Sequence, residues 1–81
     1  MKLKASANNS VKVGEGYRHY KGNKYYILAV GKHSETLEEM VVYISLYENS
    51  ESQVWVRPLK MFVETVRVGS KTVQRFQKVD K

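Results

Sequence analysis

The chain has 81 residues, no cysteine, and 14 basic against 8 acidic side chains for a formal charge of +6, which excludes a disulfide framework, a thiolate metal site and room for a second domain. No window approaches the ~20 apolar residues of a membrane span, and Met1 to Ser10 lacks an apolar stretch of signal-peptide length, so a soluble cytoplasmic protein is expected. The positive balance favours polyanions such as nucleic acid, phosphometabolites or an acidic protein face, less strongly once Lys2, Lys4, Lys78 and Lys81 are assigned to solvated tails.

Residues 1–13 show neither helical nor strand periodicity and read as a flexible leader that orders late near Val11. Gly14 and Gly16 mark a turn. Tyr17 to Tyr20 then reads as a strand with Tyr17 and His19 on one side and Arg18 and Tyr20 on the other, and Lys21-Gly22-Asn23 reverses it. Lys24 to Val30, rich in Tyr, Ile and Val, is the returning strand and continues towards Lys32. His33 to Glu39 is a polar loop or single helical turn, in which Ser34 and Thr36 can bond local backbone amides.

Met40 to Tyr47 is the clearest strand. Met40, Val42, Ile44 and Leu46 form one apolar set, expected to face the core, and Val41, Tyr43, Ser45 and Tyr47 form a more polar second set. Glu48 to Gln53 connects it to Val54-Trp55-Val56-Arg57, which Pro58 ends. Leu59 and Phe62, three apart, suit one helical turn that plugs an open end. Val63 to Val68 and Thr72 to Phe76 flank Gly69-Ser70-Lys71 as a final hairpin. Short strands with turns every eight to twelve residues predict an all-β domain over residues 14–77, a small SH3-like barrel of about five strands with one short 3₁₀ or helical turn, followed by a tail at 78–81.

The combination Tyr17-Arg18-His19-Tyr20-Lys21-Gly22, His33-Ser34-Glu35-Thr36, Met40-Val41-Val42-Tyr43, Leu46-Tyr47, Trp55-Val56-Arg57-Pro58 and Met61-Phe62 resembles the bacterial family called domain of unknown function 1653, over about Gly14 to Phe76. Lys32 stands where such sequences often carry an arginine, and Gln74 where a proline often precedes Arg-Phe. The resemblance implies a stand-alone small bacterial β domain without an established activity.

Function must therefore be read from the side chains. Tyr17, Arg18, His19, Lys21, His33, Glu35, Tyr47, Trp55 and Arg57 are the candidate ligand-binding residues, because guanidinium and ammonium groups interleaved with aromatic rings pair with phosphates and stack on bases. A binding module for an anionic ligand or nucleic acid is the leading expectation. Two alternatives stand beside it: an acid-base enzyme using His19, His33 and Glu35, and a peptide-binding SH3-like surface. No catalytic nucleophile is assigned, since Ser34 beside His33 lacks a Gly-rich elbow and chain neighbours cannot form a relay. No metal and no cofactor are expected, because the two histidines have no supporting ligand at recognisable spacing.

Overall fold

The computed structural model describes residues 11–79. Strands β1 (Gly16–His19), β2 (Lys24–Lys32), β3 (Glu39–Ser45) and β4 (Val54–Pro58) are followed by a helical turn α1 (Leu59–Phe62), a hairpin of β5 (Thr65–Val68) and β6 (Lys71–Gln74), and a last strand β7 (Phe76–Val79). The main sheet is antiparallel in the order β4-β3-β2-β1-β7, and β5 pairs only with β6. The fold is thus mostly β, as expected, with five strands in its main sheet. No ladder joins the edge strands β4 and β7 among the described residues, so the closure expected of a barrel is not seen.

The β1–β2 reversal forms as the sequence implies. Gly22 adopts φ +112°, a region costly for any residue with a Cβ, and its N–H donates to the His19 carbonyl at 2.7 Å. A register shift between Ile27 and Ala29 places a bulge in β2 and bends the sheet. At the far end of β2, the His33 carbonyl accepts the Leu37 N–H at 2.9 Å, closing the single turn expected there.

The core contradicts the register read from β3. Val41, Tyr43 and Ser45 face inward, at 0%, 4% and 2% exposure, whereas Met40, Val42 and Ile44 are half-buried on the outer face and Leu46 is 58% exposed. The reason is that this core is aromatic. Phe62 and Phe76 stack at 4.1 Å with planes 6° apart, and Tyr43 meets both edge-on at 5.4 and 5.5 Å. Tyr43 escapes the cost of a buried hydroxyl by accepting a hydrogen bond from Arg57 Nε at 3.3 Å. Ser45 does so by donating to the Gln53 carbonyl at 3.3 Å.

The helical turn plugs the core as expected, with Leu59 and Phe62 buried. The expected strand from Thr72 to Phe76 is instead broken at Arg75, where the chain leaves the small hairpin and enters the main sheet as β7 beside β1. Arg75 fastens this crossing: its carbonyl accepts the Tyr20 N–H at 2.9 Å and its guanidinium meets Glu64 at 3.4 Å. Structure among the described residues is found on both sides of the expected 14–77 span. Val11 belongs to the core, and β7 carries Lys78 and Val79 into the sheet, where Lys78 pairs with Glu15 at 2.9 Å. The rest of the expected leader and tail, 1–10 and 80–81, lies outside the described residues.

Candidate functional site

A cleft of about 280 Å³ is built from four directions. The β1–β2 turn contributes His19, Lys21 and Asn23, and β4 contributes Trp55 and Arg57. Tyr43, opposite Trp55 in the ladder, and Tyr25 and Phe76 supply an aromatic floor, while Asn49 reaches in from the loop after β3. The floor is continuous with the core. Tyr25 meets Tyr43 and Phe76 edge-on at 5.2 and 5.7 Å, and His19 stands edge-on to Phe76 at 4.9 Å.

One wall is held by hydroxyls. Tyr25 and Tyr47 share a hydrogen bond of 2.9 Å, and Asn49 Nδ2 donates to the Tyr47 hydroxyl at 3.0 Å. Burial, reinforced by Tyr47 and Tyr43, pushes the Tyr25 phenol up, so it stays a neutral donor or acceptor. Arg57 lies 5.5 Å from the Phe76 ring centroid and carries no ion pair among the described residues. Trp55 Nε1 is buried, closed off from solvent, and without a hydrogen-bond partner among the described residues.

The electrostatics are one-signed. Among the described residues no carboxylate lines the cleft, and its histidine registers the surplus of positive charge: burial, then Arg57, Arg75 and Lys21, hold the His19 imidazole below its ordinary range. Its Nδ1 accepts the Lys21 backbone N–H at 3.2 Å, which assigns the proton of the neutral ring to Nε2. The arrangement suits a ligand with a flat face for the rings and a negative charge for Arg57 and Lys21.

Of the residues nominated from sequence, His19, Lys21, Trp55 and Arg57 converge here, and Tyr47 braces the wall. Arg18 points to the other side of β1, into a neighbouring concavity. Tyr17 is a core residue, 6% exposed, with its ring edge-on to Phe62 and its hydroxyl donating to Glu15 at 3.2 Å. Burial and the Glu15 charge push its phenol up to about 12. Burial works to raise the Glu15 carboxyl, but Lys78, the Lys12 N–H and the Tyr17 hydroxyl outweigh it and hold the group below its usual range.

His33 and Glu35 sit at the wrong end of the molecule. His19 borders the start of β2 and His33 follows its last residue, and a strand of 9 residues puts roughly 25–30 Å between them. His33 instead caps its own loop, its Nδ1 accepting the Glu35 and Thr36 N–H groups at 3.1 and 3.3 Å. The expected alternative of an acid-base enzyme using His19, His33 and Glu35 together is therefore corrected by geometry. Among the described residues, no group of three or more His, Asp or Glu could hold a metal ion, and no helix is long and apolar enough to cross a membrane.

Sequence reasoning did not nominate Asn23, Tyr25, Tyr43, Asn49 or Phe76 for this site. Asn23 is in the turn that carries Lys21 and Tyr25 follows it on β2, so their nearness was visible, and Tyr43 was assigned to the more polar set of β3. Asn49 was hidden in a polar connection, and Phe76 was hidden by the unrecognised crossover into β7.

A family model described as a protein of unknown function, DUF1653, matches residues 15–78. Among solved structures, the chain is similar to the crystal structure of a DUF1653 protein from Bordetella bronchiseptica, at 37% identity and a TM-score of 0.80, over 90% of this chain and 92% of that one. No curated protein matches the chain.

Proposed function

The chain belongs to the DUF1653 family, whose description names no reaction, and from that premise we propose that it is a binding module for an anionic ligand with a planar ring, of which a nucleotide unit is the simplest case. The carrying observation is the cleft, free of carboxylates among the described residues, in which Lys21 and Arg57 stand beside aromatic walls. The rings offer stacking, the cations offer phosphate pairing, and the two asparagines offer polar contacts to a base edge. The same proposal treats the bulged sheet, buried helical turn and hairpin as an SH3-like scaffold. A peptide in an aromatic groove is the rival occupant, favoured only by the neutral amide of Asn49.

Fluorescence anisotropy of a labelled single-stranded oligonucleotide across a salt series tests the reading, with a variant lacking Met1 to Ser10 as the control for tail charge. Arg57→Ala should reduce the log-log salt slope by about 0.7, the share of one phosphate on a single strand. Binding abolished by the tail deletion and untouched by Arg57→Ala would remove the cleft from consideration, and salt-insensitive binding of an uncharged proline-rich peptide would favour the rival.

The histidine adds a pH signature of opposite signs. Its folded pKa is depressed, so the unfolded chain binds more protons than the folded one as pH falls through the ordinary histidine range near ~6.5. The stability that neutral His19 contributes is present above that range and lost as pH falls towards the folded value. A bound anion offsets Arg57, Arg75 and Lys21 and raises the imidazole again, so affinity should increase over the same fall in pH. His19→Gln should flatten the affinity trend while His33→Gln leaves it in place; an unchanged trend in His19→Gln would show that another group is responsible.

A further inference from the structure

A second concavity of about 280 Å³ opens on the other side of β1, between that strand, β7 and the β5–β6 hairpin. It is lined by Arg18, Lys71, Gln74 and Gln77 with Val68 and Val73, again without a carboxylate among the described residues. His19 borders both concavities, and Tyr20 borders the second. The His19 and Tyr20 rings lie 4.6 Å apart with planes tilted 33°, Tyr20 is 40% exposed, and Lys21 Nζ stands 5.9 Å from its ring centroid. The two hollows are therefore separated by an aromatic ridge with cations on both sides of it.

We propose that a single strand of nucleic acid crosses the His19–Tyr20 ridge, seating consecutive nucleotides in the two concavities. This rests on the reading of the first cleft given above and extends it from one nucleotide unit to a polymer. Three features select a strand over an isolated small anion. Each hollow carries its own phosphate-pairing groups, Lys21 and Arg57 in one and Arg18 and Lys71 in the other. The ridge between them presents ring faces, which stack on any base without regard to sequence. The second hollow adds primary amides, Gln74 and Gln77, whose paired donor and acceptor suit base edges. A duplex would keep its bases stacked inside and present only backbone to such hollows, so a single strand is the form that fits.

The fixing of Arg18 supports the assignment. Its cross-strand neighbour is Gln77, and it makes no ion pair among the described residues, so its charge is available on a rigid strand. The crossing at Arg75 also holds the ridge in place, because the Arg75 carbonyl takes the Tyr20 N–H at 2.9 Å.

The test is a length series of labelled uridylates, from a mononucleotide to a hexanucleotide, titrated against the full chain at several salt concentrations. Affinity should rise about tenfold or more with length, and the salt slope should steepen by about 1.4 as Arg18 and Lys71 are engaged, at about 0.7 each. The double variant Arg18→Ala, Lys71→Ala should erase both gains while binding the mononucleotide, which reaches only the first cleft, like the parent. Both residues are exposed, and an unchanged melting curve checks that the variant is folded. Equal affinity for all lengths, lost in Trp55→Ala, would overturn the second subsite and leave the first cleft standing. Binding insensitive to Trp55→Ala and Arg57→Ala at every length would overturn both. A phosphotyrosine peptide that displaces the hexanucleotide and shows the same dependence on Arg18 and Lys71 would assign the surface to a protein ligand and overturn the nucleic-acid assignment.

Discussion

Replacing Phe62 with alanine should cost about 3–5 kcal/mol, the range for a fully buried phenylalanine whose neighbours cannot collapse into the space. Phe62 has 0% exposure and touches the core from three directions: stacked on Phe76 at 4.1 Å, and edge-on to Tyr17 at 5.2 Å and to Tyr43 at 5.4 Å. These rings are anchored in separate strands, so they cannot all move in. The helical turn that carries Phe62 has 4 residues and no side-chain cap, far too short to persist on propensity alone. Its place depends on burying Leu59 and Phe62. A domain of this size is stable by roughly 4–12 kcal/mol, so the loss is a large part of the total. Urea unfolding followed by circular dichroism measures it, and a loss under about 1.5 kcal/mol would contradict the packing described. Phe62→Leu should cost less, keeping apolar volume while giving up the stack.

Trp55→Ala should weaken binding of a single-stranded oligonucleotide by about 5- to 150-fold, equivalent to the ~1–3 kcal/mol of one stacked base, with the salt slope nearly unchanged. Trp55 is half-buried, lines the cleft beside Tyr43 and packs against the core, so the alanine variant also loses stability. Trp55→Phe resolves the two effects. It keeps a ring at the wall and much of the packing against the core, so affinity retained in Trp55→Phe and lost in Trp55→Ala reports stacking. Full affinity in Trp55→Ala, with the variant shown to be folded, would eliminate stacking at this position.

The hairpin around Gly22 was legible because its signals are local: alternating side chains, then a glycine where the chain needs positive φ. The helical turn at Leu59–Phe62 was legible for the same reason, since Pro58 ends the strand and the apolar spacing changes from two to three. The register of β3 was not. An aliphatic set and a mixed set alternated along the strand, and hydrophobicity favoured the aliphatic one. What decided the matter was a partner distant in sequence: the Phe62–Phe76 stack accepts a ring at Tyr43, and Arg57 satisfies its hydroxyl. Strand β7 was missed because Gln77 and Lys78 carry no apolar pattern, and only pairing with β1 makes them a strand.

The site divides along similar lines. His19 and Lys21 were placed by the turn and Trp55 and Arg57 by alternation on β4, so their side-chain directions could be read from spacing. Their convergence needed the sheet order. His33 matched His19 only as a residue type, and the length of β2 separates them. Tyr17 shares its side of β1 with His19, but lies one step further into the core, where it meets Phe62 instead of solvent.

The most direct test of the cleft uses the single tryptophan of the chain, whose indole N–H gives one unambiguous resonance in a proton–nitrogen correlation spectrum. Uridine monophosphate, a tetrauridylate and inorganic phosphate are titrated separately into the full chain, with the Trp55 Nε1–H and the backbone amides of His19, Lys21, Asn23 and Asn49 followed together. The expected result is that the nucleotide ligands shift the indole and those amides in one saturable process, while phosphate alone moves the turn amides and leaves the indole nearly in place. A nucleotide titration that saturates with the indole unmoved and the shifts confined to other faces would contradict a nucleotide site in this cleft.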